Sequence, residues 1–217
     1  MTPLPFRTAN EVAAAIPRVA THLGAGGLLA YPTETVYGLG SRAVARDVEA
    51  LATLKGRAPG KPFLLLISER AMAEAQGLAF NPSADALARA FWPGPLTLVL
   101  PGGSGRLPDL LRGPEGGIAV RWTSHPGIAR LVAALDAPLT STSANLPGSQ
   151  PAPGAAAIVR DFQAPVTAGQ LLVLDGGVLG NRPPSTVVDC TQPGARLVRE
   201  GAVTLGELRR AAGRLAP

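Results

Sequence analysis

The chain is poor in lysine, cysteine, histidine and aromatics, and each scarcity removes a class of function. Its 217 residues hold one cysteine (Cys190), two histidines (His22 and His125) and 4% aromatic residues. A single thiol makes neither an internal disulfide framework nor a cysteine metal cage. Two histidines give the serines of residues 140–145 few partners for a hydrolase-type nucleophile, and no Gly-x-Ser-x-Gly turn surrounds them. So few aromatic faces argue against a platform that stacks single-stranded bases. No apolar run is long enough to span a bilayer, and the N-terminus lacks the basic start and apolar core of a signal peptide. A cytoplasmic protein without a membrane anchor is therefore expected. Of the 20 basic residues only Lys55 and Lys61 are lysine, and both fall in Lys55-Gly56-Arg57-Ala58-Pro59-Gly60-Lys61.

What is present is a globular composition, 46% hydrophobic, with a formal net charge of +5. That charge points to anionic partners such as nucleotides or RNA. Thr8 and Glu11 have capping-box spacing ahead of a helical run through Leu23, within which Pro17 is expected to kink or split the helix. Apolar strands are expected at 28–31, 63–67, 96–100, 118–121, 139–143, 171–174, 186–189 and 196–198. Helices are expected near 47–54, 69–76, 83–91, 126–135, 155–162 and 204–212, and residues 102–117 read as a long surface loop. The continuous apolar run at 63–67 is the pattern of a strand buried on both faces. Alternating helices and buried strands with several short connections imply an α/β fold around a mixed sheet.

The basic stretch at 55–61 superficially has P-loop character, but it lacks one spacer residue, carries Pro62 where Ser or Thr should hold magnesium, and follows a helix instead of a strand. A mobile loop that cannot bury itself must direct its three cations at something. Thr33 and Thr35, after a buried strand, suit either the capping of a turn or ligand contact. Glu34 suits a general base or an ion-pair partner for the cationic loop. The hydroxyl cluster Thr140-Ser141-Thr142-Ser143-Ala144-Asn145 suits phosphate or sugar oxygens, or a helix cap. Arg121 and Arg199, at strand ends, suit carboxylate and phosphate, and Ser185 suits a hydrogen bond to ligand. His125 reads as a surface or capping residue, and Cys190 as a packed thiol. No cluster has the spacing of a zinc or iron site.

Taken in order, Tyr31-Pro32-Thr33-Glu34-Thr35-Val36-Tyr37-Gly38-Leu39-Gly40, Lys55-Gly56-Arg57, Lys61-Pro62, Phe91-Trp92-Pro93-Gly94-Pro95-Leu96-Thr97, Ala119-Val120-Arg121, Ser143-Ala144-Asn145, Ser185-Thr186-Val187-Val188-Asp189 and Arg199-Glu200-Gly201 resemble the YrdC/TsaC family, the threonylcarbamoyl-AMP synthases. The resemblance implies a single YrdC-like domain over residues 1–217, a twisted mixed sheet flanked by helices with a basic concave face, in the short form without an extra C-terminal domain. It implies synthesis of L-threonylcarbamoyladenylate and pyrophosphate from L-threonine, bicarbonate and ATP, with magnesium accompanying ATP. Separate transferase proteins then pass the threonylcarbamoyl group to tRNA. Carried over by position, Lys55, Arg57, Lys61 and Arg199 meet the triphosphate, Lys55 and Arg57 being catalytic. Ser143 and Asn145 hold the nucleotide. Thr33, Arg121, Ser141 and Ser185 line the threonine pocket. Two other readings stand beside this one: a module that binds duplex RNA by shape, and a paralogue that binds nucleotide without selecting threonine.

Overall fold

The computed structural model describes residues 2–57, 61–180, 182–213 and 215. After a short strand β1 (Leu4–Pro5), Thr8 and Glu11 close the expected capping box, with Thr8 N donating to the Glu11 carboxylate at 2.8 Å. Helix α1 (Ala9–Gly24) runs from there and buries Val12, Ala15, Val19 and Leu23; Pro17 does not divide it. An interior proline costs about 3 kcal/mol. Burial of Val12, Val19 and Leu23 contributes about 1.5–3 kcal/mol apiece and outweighs that cost.

The other elements follow the expected alternation: β2 (Leu28–Tyr31), β3 (Gly38–Gly40), α2 (Ala45–Lys55), β4 (Leu64–Ile67), α3 (Arg70–Ala75), α4 (Pro82–Phe91), β5 (Leu96–Leu100), β6 (Ile118–Trp122), α5 (Pro126–Leu135), β7 (Leu139–Ser143), α6 (Ala155–Asp161), α7 (Gln163–Thr167), β8 (Leu171–Asp175), β9 (Thr186–Asp189), β10 (Arg196–Arg199) and α8 (Leu205–Ala212). The expected long loop contains one turn of 3-10 helix at Asp109–Leu111. This turn, β1, β3 and α7 go beyond the expected set, each too short to show a periodicity. One ten-stranded sheet forms in the order β1-β8-β2-β3-β7-β4-β6-β5-β9-β10. It is mixed: β1–β8, β8–β2, β4–β6 and β5–β9 pair in parallel, and the remaining neighbours are antiparallel.

Side-chain alternation along the strands decides where the molecule is open. In β2, β4 and β8 successive residues enter two different cores, because neighbouring side chains on a strand point to opposite faces. Leu28, Ala30, Leu65, Ile67, Leu171 and Val173 join a large core with α2, α4, α6 and α8. Leu29, Tyr31, Leu66, Leu172 and Leu174 join a smaller core under α1 and α5. The expected two-sided burial of β4 is observed in this form. In β5, β6 and β9 only one side enters a core: Leu96, Leu98, Leu100, Ile118, Val120 and Val188 join the large one. Their alternate residues, Thr97, Val99, Ala119, Arg121, Val187 and Asp189, line a cavity instead. The smaller core covers only part of its face of the sheet, and the cavity lies on the part left over.

Candidate active site

The cavity holds about 570 Å³. Its sheet floor carries Arg121, 4% exposed, whose Nη1 donates to Thr35 Oγ1 at 3.2 Å. Thr33 lies at its edge, where its hydroxyl accepts from the backbone N–H groups of Thr35 and Val36 at 3.2 Å and donates to the Val36 carbonyl at 2.6 Å. Thr33 therefore caps its own turn, one of the two uses the sequence left open, and it also faces the cavity. Glu34 pairs with Arg121, Oε1 to Nε at 3.8 Å, and not with the basic stretch at 55–61. His125 caps α5, its Nδ1 accepting from Ile128 N, and burial holds its pKa below the usual imidazole value.

β7 delivers Ser141, Thr142 and Ser143 to a second wall. Arg57 reaches it from just beyond the left-handed C-cap of α2 at Gly56 (φ 54°). Its Nη1 donates to Thr142 Oγ1 at 2.9 Å, its Nη2 to the Pro62 carbonyl at 2.6 Å and its Nε to the Lys61 carbonyl, and the guanidinium lies 4.4 Å from the centre of the Phe63 ring. Lys55 ends α2 at 8% exposure and donates to Asn145, to Oδ1 at 2.7 Å and to the backbone carbonyl. The same Oδ1 accepts from Ser143 Oγ at 2.6 Å. This corrects the expectation that the stretch cannot bury itself: Lys55 and Arg57 are packed against β7 and the turn after it, while Lys61 is exposed. Ala58, Pro59 and Gly60 lie outside the described residues. Burial, and then the Arg57 charge, pulls the Lys55 ammonium down to about 8.

The third wall comes from the C-terminal hairpin. Ser185 and Thr97 share a hydroxyl–hydroxyl hydrogen bond at 2.9 Å, and Arg199 Nη2 donates to the Ser185 carbonyl at 2.7 Å. Burial, with repulsion from Arg121, lowers the Arg199 pKa. Arg196 Nη2 bridges Glu115 Oε1 at 2.8 Å and Asp189 Oδ2 at 2.9 Å, tying the 102–117 loop to the sheet beside the cavity. Burial alone would raise the Asp189 carboxyl, but hydrogen bonds from Thr191 and Arg196 outweigh it and leave the pKa lowered. Cys190 is fully buried as expected, its thiol pushed up to about 12 by burial and then by Asp189.

Residues 21–201 match the sequence profile of the Sua5/YciO/YrdC family, described as "Telomere recombination". The chain belongs to this family. A relative in Thiobacillus denitrificans named threonylcarbamoyl-AMP synthase is 40% identical over 183 residues, covering 84% of this chain and 94% of the relative. Another of that name, from Pyrococcus abyssi, is 34% identical over 191 residues, covering 88% of this chain but only 55% of the relative, so the chain spans about half of that protein's length. A crystal structure of P. abyssi Sua5 complexed with L-threonine superposes with a TM-score of 0.89 at 31% identity, covering 99% of this chain and 62% of that one.

Within this Sua5/YciO/YrdC fold, seven of the sequence-derived site residues line one cavity: Thr33, Arg57, Arg121, Ser141, Ser143, Ser185 and Arg199. Asn145 and Lys55 lie behind that wall, linked to it through Ser143. The Lys61 side chain is not brought to it. Sequence reasoning gave no site role to Thr97, Glu115, Asp189 or Arg196, and had Thr142 only as a member of the hydroxyl cluster. Thr97 carried a usable signal, a polar residue in the alternation Leu96-Thr97-Leu98-Val99-Leu100. The Arg196 bridge carried none, because its partners lie 81 and 7 residues away.

Proposed function

We propose that the chain joins L-threonine, bicarbonate and ATP into L-threonylcarbamoyladenylate, releasing pyrophosphate, and that this adenylate feeds threonylcarbamoyl-transferase proteins modifying tRNA in the cytoplasm. One observation carries the reading: Arg57, Arg121 and Arg199 converge with the Thr33, Ser141, Ser143 and Ser185 hydroxyls on a single cavity. The synthase names of the relatives support it.

Threonine ammonium and bicarbonate condense to an N-carboxylate, losing water and one proton. A carboxylate oxygen then attacks the α-phosphorus, the bond from that phosphorus to the bridging oxygen breaks, and pyrophosphate leaves. In this second step both partners, the N-carboxylate and the triphosphate, are anionic, so the obstacle is like-charge repulsion, which fixed cations in a dry site oppose. Arg121 takes the amino-acid carboxylate, flanked by the hydroxyls of Thr33, Ser141 and Ser185. Arg57 and Arg199 take the triphosphate, with Lys55 and Lys61 as supporting cations, and the Ser143–Asn145 turn takes the nucleoside. No covalent enzyme intermediate is required. Magnesium belongs here to the ATP substrate: the described residues include no cluster of three or more metal-ligating side chains, and the cavity's Glu115 and Asp189 are already engaged with Arg196.

Arg57 and Arg121 line the cavity and are at most partly exposed, whereas a surface gripping an RNA backbone needs its cations on the outside. The test is threonine-dependent incorporation of labelled bicarbonate into an adenylate, with pyrophosphate release. Arg57→Ala is expected to slow it by about 10²–10³, the usual cost of one lost electrostatic donor. ATP hydrolysis indifferent to threonine, with no labelled product, would sink the reading.

A further inference from the structure

The floor of the cavity contains a carboxylate that does not itself line it. Glu34, its side chain 12% exposed, holds Oε1 at 3.8 Å from Arg121 Nε. That separation is too long for a hydrogen bond but short for a buried pair of opposite charges. Among the described residues neither Glu34 Oε1 nor Arg121 Nε has a hydrogen-bond partner. The carboxylate is fixed from its other oxygen: Thr123 Oγ1 donates to Oε2 at 2.6 Å and in turn accepts from His125 N at 3.2 Å. Thr123 is fully buried, so this anchor is rigid. A second cation, Arg199, lines the same cavity and is close enough for the two to repel. A buried guanidinium facing a like charge needs a compensating anion to stay where it is.

We propose that Glu34 is a positioning residue for amino-acid recognition: locked by Thr123, its Oε1 holds the Arg121 guanidinium at the floor by charge and without a hydrogen bond, leaving the donors not used on Thr35 for the carboxylate of the incoming amino acid. This rests on the reading of Arg121 as the threonine-carboxylate site. Glu34 also keeps Arg121 and Arg199 apart in function, one serving the amino acid and the other the phosphates, although both line one cavity.

The test compares Glu34→Gln, which keeps an acceptor for Thr123 and removes the charge, with Glu34→Asp, which keeps the charge. Steady-state kinetics should show the threonine KM rising about 10–100-fold in Glu34→Gln, the scale known for carboxylates that orient metal-binding side chains. The ATP KM should stay within about twofold, and Glu34→Asp should fall nearer the native enzyme. A crystal structure of Glu34→Gln should show the guanidinium drawn off Thr35 Oγ1. An unchanged threonine KM, or equal rises in both KM values with Asp no better than Gln, overturns the proposal. If Glu34→Gln does not fold, Thr123→Val decides: it leaves Glu34 charged but unanchored and should raise only the threonine KM, and no rise overturns the proposal. If the native enzyme makes no threonine-dependent product, the synthase reading fails. The Arg121 position in Glu34→Gln then judges Glu34 by itself, an unmoved guanidinium being the negative result.

Discussion

Lys55 shows how one side chain's surroundings set its working range. Its ammonium is 8% exposed at the end of α2, donates twice to Asn145, and is held near 8 instead of the ordinary 10.5 by burial and by Arg57. The folded chain therefore gives up this proton before the unfolded chain does. Between about pH 8 and 10.5 the unfolded state binds more protons, so this group's contribution to stability grows with pH while its charge is lost. Function and stability are thus expected to diverge. The ATP KM should rise as pH passes 8, while thermal unfolding shows no matching loss from this group. Lys55→Met should remove the pH-dependent limb from the ATP KM profile. A limb that persists in Lys55→Met would assign the titration elsewhere.

At the scale of elements, β3 shows why glycine is required where no helix or turn asks for it. Gly38 and Gly40 flank Leu39, and their bare faces let the Tyr31 ring lie across the strand while its hydroxyl donates to the Thr140 carbonyl at 2.9 Å. A Cβ on Gly40 would stand 2.1 Å from that same carbonyl oxygen, and backbone does not yield as a flexible side-chain tip does. Gly40→Ala is therefore expected to destabilise by more than about 3 kcal/mol, within the large-effect tail of point mutations, and to lower Tm sharply or prevent soluble expression. A Gly40→Ala protein with native Tm would mean that β7 can shift, and that the register Leu39↔Thr142 is looser than the pairing implies. The same strand connects residues 31–37 to the hydroxyl-bearing end of β7, which is why Thr33 and Ser141 share a cavity.

For the molecule as a whole, the cavity exists because two helices cannot cover ten strands. The 102–117 loop comes down beside the uncovered part, held partly by the Arg196 bridge to Glu115 and Asp189. Arg196 and Glu115 are 43% and 56% exposed, so their pair contributes only about 0–1 kcal/mol. Arg196→Ala should leave global stability almost unchanged. Hydrogen exchange should nevertheless quicken at residues 113–117, and adenylate should dissociate faster from the cavity. A large drop in Tm without faster local exchange would make the bridge part of the core instead of a clasp.

By itself the amino-acid sequence determined the order of the major elements, the mixed α/β class and the roster of site motifs. Those signals are local: a capping box at Thr8 and Glu11, an unbroken apolar run at 63–67, hydroxyls and arginines at strand ends. It also excluded a P-loop correctly, since α2 leads into the basic stretch. Only the tertiary structure decided that Lys55 and Arg57 are packed against β7 and its following turn, that Pro17 leaves its helix whole, and that Glu34 faces Arg121. Those outcomes depend on which strands become neighbours. β7 lies between β3 and β4 in space although some 70 to 100 residues separate them in the chain. Side-chain periodicity tells which residues share a face, but pairing order tells which faces meet, and pairing order is settled by the packing of the whole sheet against its two cores.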